Sequence, residues 1–294
     1  MTDIRFAINP LQWLATDDGW LDFNAGPPLP QLLDEIREAG FTAIVAAPPL
    51  DADIGAYAAT LAAAGIAPAP GYVSGPMADE GARADIVSRA QRLAAALAEL
   101  GVTEVFVASN MSLDAPRVLQ PARGIEPDEA RLAVIVESLT AVATATQREG
   151  VTSCLHQHVG TWIEVEDEVE WILDRVDPAL LALGPDTGHH AWAGTDPVSF
   201  IGRHAERVRA LHVKDVRLSI ADRFRGSPAG YREIVAAGLW VEPGRGELDL
   251  RAAIRALPTD FAGWAILEVD KPDLATPQES ARVSAEWTRE AASW

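Results

Sequence analysis

Residues 98–108 read AELGVTEVFVA, which is the end of an amphipathic helix, a glycine and a short apolar run. Glycine just after a helix adopts the left-handed C′ conformation at little cost in free energy. The run that follows is rich in valine, as expected for a parallel strand buried on both faces. The segment therefore predicts one helix-to-strand unit of an α/β fold.

The same pattern occurs three more times along the chain. It is found in REAGFTAIVAA at 37–47, in AAAGIAPAPGYV at 62–73 and in QREGVTSCLH at 147–156. The helical segments carry apolar residues at steps of three and four, such as Leu93 and Leu97. Helix-to-strand units that repeat in this way indicate a parallel sheet covered by helices.

The remaining segments complete a set of eight predicted strands. These are Ile4–Asn9, Thr42–Ala47, Ala67–Val73, Glu104–Ser109, Thr152–His158, Leu180–Asp186, Val208–Val213 and Trp264–Val269. Eight alternating units favour a closed (β/α)8 TIM barrel over an open doubly wound sheet. Neither GxGxxG nor GxxxxGK[ST] follows the first strand, which also argues against a nucleotide-binding sheet. We expect residues 1–294 to form a single TIM-barrel domain, with an active-site loop at Leu218–Leu250.

Composition and charge narrow the classes of function. The chain has 43 acidic and 24 basic residues, which gives a formal net charge of −19. Nucleic-acid binding depends on Lys and Arg at phosphates, so we expect no nucleic-acid partner. No apolar run approaches the length of a membrane span, and the N-terminus does not resemble a signal peptide. With Cys154 as the one cysteine, no intrachain disulfide can form, and we expect a cytoplasmic protein without a membrane partner.

Clusters of polar residues lie at the C-terminal ends of the last four predicted strands. They read LHQHVGT at 155–161, PDTGHH at 185–190, LHVKDV at 211–216 and AILEVD at 265–270. The active site of a parallel barrel forms where these strand ends converge. We therefore expect the four clusters to build one site.

Two carboxylates and two imidazoles from these clusters can converge on one metal ion. Asp186 and Glu268 each lie at the end of an otherwise apolar run, where a carboxylate is costly to bury unless it is paired, protonated or bound to a cation. His212 lies near the end of another strand, and the fifth strand offers His156 and His158 on the same face. Mixed nitrogen and oxygen ligands favour Mn²⁺, Co²⁺ or Zn²⁺, with Mg²⁺ less favoured beside two histidines.

Each candidate also has a structural interpretation. Buried histidines are often hydrogen-bonded core residues, and Glu268 could instead form an ion pair with Lys214 or Arg217. Function is favoured because four independent strand ends each supply a metal-binding group. Polar and aromatic residues near strand ends, and one arginine of the long loop, are candidates for contacts with the substrate: Asn9, Trp13, Trp192 and Arg217.

The order and spacing of these motifs resemble the xylose-isomerase-like sugar isomerase and epimerase superfamily, and within it the inosose dehydratase group. The resemblance covers nearly the whole chain. It is carried by LHQHVGT, LHVKDVR and residues 185–197, and by the closing segments EPGRGELDL and WAILEVD. It implies a divalent metal, Mn²⁺ or Co²⁺ first, held by four residues: His156, Asp186, His212 and Glu268.

The chain departs from both patterns at the fifth strand. His156 stands where the epimerases carry a glutamate, and Gln157 interrupts the histidine run of the dehydratases. These departures leave the substrate open, and they leave His156 and His158 as alternative metal ligands.

The resemblance implies a lyase of carbohydrate metabolism, such as inositol catabolism, that dehydrates a cyclic keto-polyol. Glu268 would take the proton next to the ketone, His189 or His158 would protonate the departing hydroxyl, and Lys214 would polarise the ketone.

Three other functions remain open. They are a ketose epimerase or isomerase, a lyase that cleaves oxidised glycosides, and a non-catalytic sugar-binding barrel. The expected partner is a small keto-sugar or keto-polyol, and homo-oligomerisation is left open. A sugar phosphate is disfavoured because the chain has no glycine-rich phosphate cradle.

Overall fold

Strands and helices alternate through the part of the chain that this computed structural model describes, residues 4–51 and 53–293. The strands are β1 (Arg5–Asn9), β2 (Ala43–Val45), β3 (Ala67–Ala69), β4 (Gly71–Gly75), β5 (Glu104–Ser109), β6 (Thr152–Leu155), β7 (Leu181–Leu183), β8 (Ala210–Val213), β9 (Asp215–Val216), β10 (Trp240–Val241) and β11 (Trp264–Glu268). The helices are α1 (Leu29–Ala39), α2 (Ile54–Ala64), α3 (Arg83–Glu99), α4 (Pro116–Leu119), α5 (Glu129–Arg148), α6 (Glu166–Leu173), α7 (Thr187–Trp192), α8 (Pro197–Arg203), α9 (Leu218–Phe224), α10 (Tyr231–Ala236), α11 (Leu250–Arg255) and α12 (Pro277–Ala291).

The barrel strands form two parallel sheets that join at both edges. One sheet has the order β3-β2-β1-β11-β8, and the other has the order β4-β5-β6-β7. β3 leads into β4 across Pro70, and bridges at Leu183–Val208 and Asp186–His212 connect β7 to β8. The sheets therefore close into the predicted (β/α)8 barrel, in which β3 and β4 together act as one strand.

Alternation along each strand separates the barrel interior from the helix-facing surface. In β11, Trp264 and Ile266 belong to an interior cluster, whereas Ala265 and Leu267 pack in the cluster beneath the helices. The other interior residues are mostly small, and they surround Phe106. The same alternation directs Glu268, at the end of β11, into the barrel mouth.

Four glycines confirm the helix ends expected from the sequence. Gly40, Gly65, Gly101 and Gly150 all have positive φ, between 68° and 108°. Each is followed within three residues by a barrel strand. Within the described residues, no helix has the length and apolar character needed to cross a membrane.

The structure makes three corrections, which together concern four of the predicted elements. The strand expected at Ala67–Val73 is divided at Pro70, which has no N–H to donate to the sheet. The strands expected to reach His158 and Asp186 end at Leu155 and Leu183, so the polar residues lie on the connections just beyond them.

The third correction concerns the loop expected at Leu218–Leu250. This segment is not irregular throughout, because it contains α9, α10 and β10. β10 pairs antiparallel with β9, which follows the barrel strand β8. The hairpin-like pairing holds the segment over the barrel mouth.

Candidate metal centre

Asp186 is oriented by the helix that follows it. It is the N-cap of α7, and its Oδ1 accepts a hydrogen bond from the backbone N–H of His189 at 2.8 Å. Its Oδ2 is buried and has no hydrogen-bond partner among the described residues. A buried carboxylate oxygen without a hydrogen-bond donor is costly unless a cation is nearby, and this oxygen is free to coordinate one.

Two buried histidines face the same point. Ligand atoms of His156, Asp186 and His212 all lie within 4.8 Å of one another. Nδ1 of His156 and Nε2 of His212 have no hydrogen-bond partners within residues 4–51 and 53–293. Burial, with neighbouring His212 and His158, holds the pKa of His156 well below its ordinary value, so its ring is neutral and offers a lone pair.

Glu268 completes the set from β11. Its Oε2 lies 3.1 Å from Nδ1 of His212 and accepts a hydrogen bond of 2.5 Å from the side-chain amide of Asn9. Two imidazole nitrogens and two carboxylates are a donor set suited to Zn²⁺, Mn²⁺ or Co²⁺. Because two of these nitrogens and Oδ2 of Asp186 are buried without partners, the residues present fit a divalent ion.

Lys214 lies at the centre of the acidic groups and is fully buried. Its Nζ is 2.5 Å from Oε1 of Glu268, 3.0 Å from Oδ1 of Asp270 and 3.6 Å from Oδ2 of Asp186. Burial alone would lower the pKa of Lys214, but these three carboxylates outweigh it and hold the pKa well above its ordinary value. Lys214 is therefore an ammonium ion, fixed in position by two hydrogen bonds between its backbone and Thr187 of α7.

A second cluster lies on the other side of Lys214. Ligand atoms of His158, His189 and Asp270 also lie within 4.8 Å of one another. The ring centroids of His158 and His189 are 3.7 Å apart, and Nζ of Lys214 is 3.1 Å from Nε2 of His189. The Lys214 ammonium lies 3.0 Å from Oδ1 of Asp270, so this cluster, like the first, borders a fixed positive charge.

The protonation states within this cluster differ. Burial, followed by the charge of Lys214, lowers the pKa of His158 to about 3. Nδ1 of His158 lies 2.7 Å from the carbonyl oxygen of Val159, so the neutral ring donates from Nδ1 and its Nε2 is an acceptor. Burial raises the pKa of Asp270 to about 7 against the opposing effect of Lys214.

A cavity of about 550 Å³ opens above the site. Four of the candidate residues from the sequence line it: Asn9, His156, His158 and Glu268. Asp186, His189, His212 and Lys214 are buried and are not among the described residues that line the cavity. The structure thus brings the whole predicted metal and catalytic set together at one end of the barrel.

Three predicted substrate contacts do not line this cavity. Trp13 donates a hydrogen bond from Nε1 to Glu35, and Trp192 packs edge-on against Trp240, with ring centroids 5.4 Å apart. Arg217 forms an ion pair with Asp273 at 2.7 Å. None of the three candidates is among the described residues that line the cavity.

Asp270 and Tyr231 line the cavity but were not among the residues expected from the sequence. Asp270 lies two residues beyond Glu268, so the alternation that selects Glu268 also selects it. Tyr231 begins α10 in the segment after β9, where no sequence periodicity indicates which residue turns inward.

Comparison with known proteins identifies relatives of this arrangement. The family model described as xylose isomerase-like TIM barrel matches residues 33–291. The rhizopine catabolism protein MocC of Rhizobium meliloti is 28% identical, over 97% of this chain and 88% of its own. An inosose dehydratase of Geobacillus kaustophilus is 26% identical, over 96% and 93%. With the inosose dehydratase of Geobacillus thermodenitrificans, the match is 29% identical but spans only 53% of each chain.

Solved structures share the fold at lower identity. The IOLI protein with a bound zinc atom superposes with a TM-score of 0.70 at 16% identity, covering 99% of this chain and 98% of its own. The 3-keto-D-glucoside 4-epimerase YcjR of E. coli gives 0.69 at 16% identity, covering 98% and 99%. These likenesses confirm the predicted barrel fold.

Proposed function

Because the chain belongs to the xylose isomerase-like TIM barrel family, we propose that it is a divalent-metal-dependent lyase that dehydrates a cyclic keto-polyol of the inosose type. The observation that carries the proposal is the convergence of His156, Asp186, His212 and Glu268 beneath a cavity. The curated inosose dehydratases among the relatives support the choice of reaction.

The four converging residues would hold the ion. A bound divalent ion supplies Lewis acidity, which polarises a ketone and lowers the cost of negative charge on its oxygen. Lys214 adds a fixed positive charge at the same end of the cavity. The non-catalytic alternative is disfavoured, because a binding barrel has no need of a proton acceptor and donor on either side of a buried ammonium.

Glu268 is suited to remove the proton next to the ketone. Burial opposes its ionisation, but Lys214 and His212 outweigh burial and hold the pKa of Glu268 well below its ordinary value. It is therefore a carboxylate, and it faces the cavity at the end of β11. Asn9 donates to Oε2, which fixes the orientation of the side chain.

The departing hydroxyl needs a proton, and Asp270 is the better placed donor. Its pKa of about 7 keeps a large fraction protonated at neutral pH, and it lines the cavity. The neutral His158 presents an acceptor nitrogen, so it is suited to orient a substrate hydroxyl rather than to protonate one. His189 lies between His158 and Lys214 and holds both in place.

A second candidate function is epimerisation or isomerisation of a ketose. It is favoured by two proton-accepting groups, Glu268 and His158, that line one cavity. Such a reaction shares proton removal next to the ketone but returns a proton to carbon and expels no hydroxyl.

The two candidates are separated by NMR in D₂O with inososes and ketoses and protein of measured metal content. We expect an inosose to lose water and give an unsaturated ketone that tautomerises to a diketone. Deuterium incorporation into a ketose without loss of water would establish the epimerase instead. Stoichiometric metal with no reaction of any keto-sugar would contradict both.

A further inference from the structure

We propose that Gly188 and Trp240 are positioning residues of this site, which together hold the Lys214 ammonium in a slot beside Glu268. The slot is the space between Gly188 on α7 and the indole ring of Trp240 on β10, and the side chain of Lys214 fills it. Neither residue is among the described residues that line the cavity, so each acts through Lys214 and not on the substrate. The inference rests on the proposed function for its kinetic test, whereas the position of Lys214 can be measured without a reaction.

Gly188 allows the aliphatic stem of Lys214 to pack directly on α7. A Cβ at position 188 would lie 2.9 Å from Cγ of Lys214 and 2.9 Å from Cζ3 of Trp240. Carbon atoms in ordinary contact are about 3.5–4.0 Å apart, so any side chain here would displace a neighbour. Gly188 is not among the glycines with positive φ, so the close approach and not the backbone conformation requires glycine. Lys214 cannot simply move aside, because Thr187 bonds both its N–H and its carbonyl oxygen.

Trp240 closes the other side of the slot. Its side chain is fully buried, and Nζ of Lys214 lies over the indole ring, 4.8 Å from the ring centroid. The face of a tryptophan attracts an ammonium within about 6 Å, and more strongly where water is excluded. The ring is itself fixed, because Trp192 packs edge-on against it and β10 pairs antiparallel with β9. Trp240 therefore holds the ammonium by a contact that involves no carboxylate.

Such a contact matters because two carboxylates near Lys214 also belong to the candidate metal centre. Nζ lies 2.5 Å from Oε1 of Glu268 and 3.6 Å from Oδ2 of Asp186. A divalent ion would attract the same two carboxylates and would repel the ammonium. Lysine also has a flexible four-carbon stem, so its charged end is free to move unless the stem is packed. An aromatic face and a glycine backbone do not bind metal, so the slot holds Lys214 with or without an ion.

The first test observes Lys214 by NMR. The chain has two lysines, Lys214 and Lys271, so protein labelled with ¹⁵N at lysine gives two side-chain signals, and Lys271→Arg assigns them. We expect the Nζ protons of Lys214 to be shifted upfield by the indole ring current, both in EDTA and in zinc-loaded protein. Trp240→Leu should abolish this upfield shift, and Trp240→Phe should retain part of it. Trp171→Leu, at a ring on α6 that carries the guanidinium of Arg175, should leave it unchanged.

The second test measures turnover of an inosose by zinc-loaded protein. Gly188→Ala should displace the Lys214 ammonium from Glu268, and a misplacement of about 1 Å can cost about 10²-fold in rate. We expect kcat to fall by about 10–10²-fold, with KM changed by less than about threefold and with metal retained. Gly202→Ala on α8 is the matched control, because a Cβ there meets nothing within 4 Å. Trp240→Leu should lower kcat at least about tenfold, and Trp240→Phe should recover most of that loss.

Three outcomes would overturn this inference. The first is an upfield Lys214 signal that survives Trp240→Leu, and the second is a wild-type kcat in Gly188→Ala. The third is loss of metal from Gly188→Ala with an unchanged Lys214 signal, because the substitution would then act through Asp186, the N-cap of the same helix. If the wild type turns over no keto compound, the proposed function fails, and the Lys214 signals alone decide whether the slot positions the ammonium.

Discussion

The Nζ atom of Lys214 lies 2.5 Å from Oε1 of Glu268, and both side chains are buried where four barrel strands end. A buried pair of opposite charges is stable only when further groups satisfy the remaining donors and acceptors. Asp270 does this for Lys214, and the carboxylate of Asp186 adds a negative charge 3.6 Å away, while Asn9 and His212 approach the other oxygen of Glu268. The arrangement keeps a carboxylate ionised in a dry environment, which is what a proton acceptor requires.

Glu268→Gln should abolish nearly all turnover and leave the fold intact. Glutamine keeps the shape of the side chain but accepts no proton, and Lys214 keeps Asp270 as a partner. We expect kcat to fall by at least about 10²–10⁴-fold. Rates, metal content and circular dichroism are compared with Glu99→Gln, an exposed position at the end of α3. Wild-type rates in Glu268→Gln would show that the carboxylate is only structural.

His156→Ala and His158→Ala should fail in different ways. A ligand atom of His156 lies within 4.8 Å of ligand atoms of Asp186 and His212. Loss of the His156 ring should therefore reduce the amount of bound metal. His158 presents its acceptor nitrogen in the second cluster, so its loss should lower the rate by about 10²–10⁴-fold with metal retained. Metal analysis and single-turnover rates of both variants decide the matter. If only His158→Ala loses metal, the two roles must be exchanged.

Asp270→Asn should lower kcat with little change in KM. Asparagine keeps the contact with Lys214 but has no carboxyl proton to donate. We expect a loss of about 10²–10⁴-fold in kcat with the metal still bound. Asp273→Asn is the matched control, because Asp273 lies three residues on and pairs with Arg217 outside the cavity. Equal rates in the two variants would remove Asp270 from the reaction.

His190→Leu should make the protein less sensitive to acid. Burial lowers the pKa of His190 to about 3, its ring packs on Phe200, and neither ring nitrogen has a hydrogen-bond partner in the described part of the chain. The unfolded chain therefore binds a proton that the folded chain does not, and stability is lost as pH falls from about 6.5 towards 3.

One such proton contributes a slope of about 1.4 kcal/mol per pH unit in that range. Urea unfolding of wild type and His190→Leu between pH 4 and 6, both in EDTA so that metal release does not contribute, measures the difference. Parallel curves for the two proteins would mean that His190 is already protonated when folded.

Arg117 and Glu168 should show strong coupling in a double-mutant cycle. Their buried side chains form a two-point ion pair at 2.6 and 2.7 Å, which joins α4 to α6 beside the barrel mouth. Breaking such a pair from one side leaves an unpaired buried charge and costs about 3–5 kcal/mol. We expect Arg117→Met and Glu168→Leu each to cost this much in unfolding free energy, and the double variant to cost much less than their sum. Additive losses would contradict a coupled pair.

Most of the barrel could be predicted from the sequence because its signals are local. A glycine after a helix and a valine-rich run each indicate the backbone conformation of the residues that carry them, as Gly101 and β5 illustrate. Alternation along β8 and β11 was also sufficient to direct His212 and Glu268 inward. The division at Pro70 depends on which neighbour each half-strand pairs with, and that is a property of the closed sheet.

The cavity wall was harder to predict than its floor. Trp13 and Trp192 lie beyond strand ends, whereas Asn9 is the last residue of β1. The tryptophan rings pack against helices and loops that sequence spacing does not locate. Trp20 and Tyr231 meet although they are far apart in the chain and belong to connections without periodicity. The sheet determines the direction of side chains at strand ends, whereas tertiary packing determines the direction of side chains in the connections.

The two carboxylate oxygens of Asp186 have different roles, since Oδ1 caps α7 and Oδ2 faces the candidate metal centre. The rotation of this carboxylate is therefore decided when α7 forms, before any ion arrives. Binding of an ion would cost little side-chain entropy at this residue, because folding has already ordered the carboxylate. We therefore expect metal to be loaded onto the folded protein and removed from it reversibly.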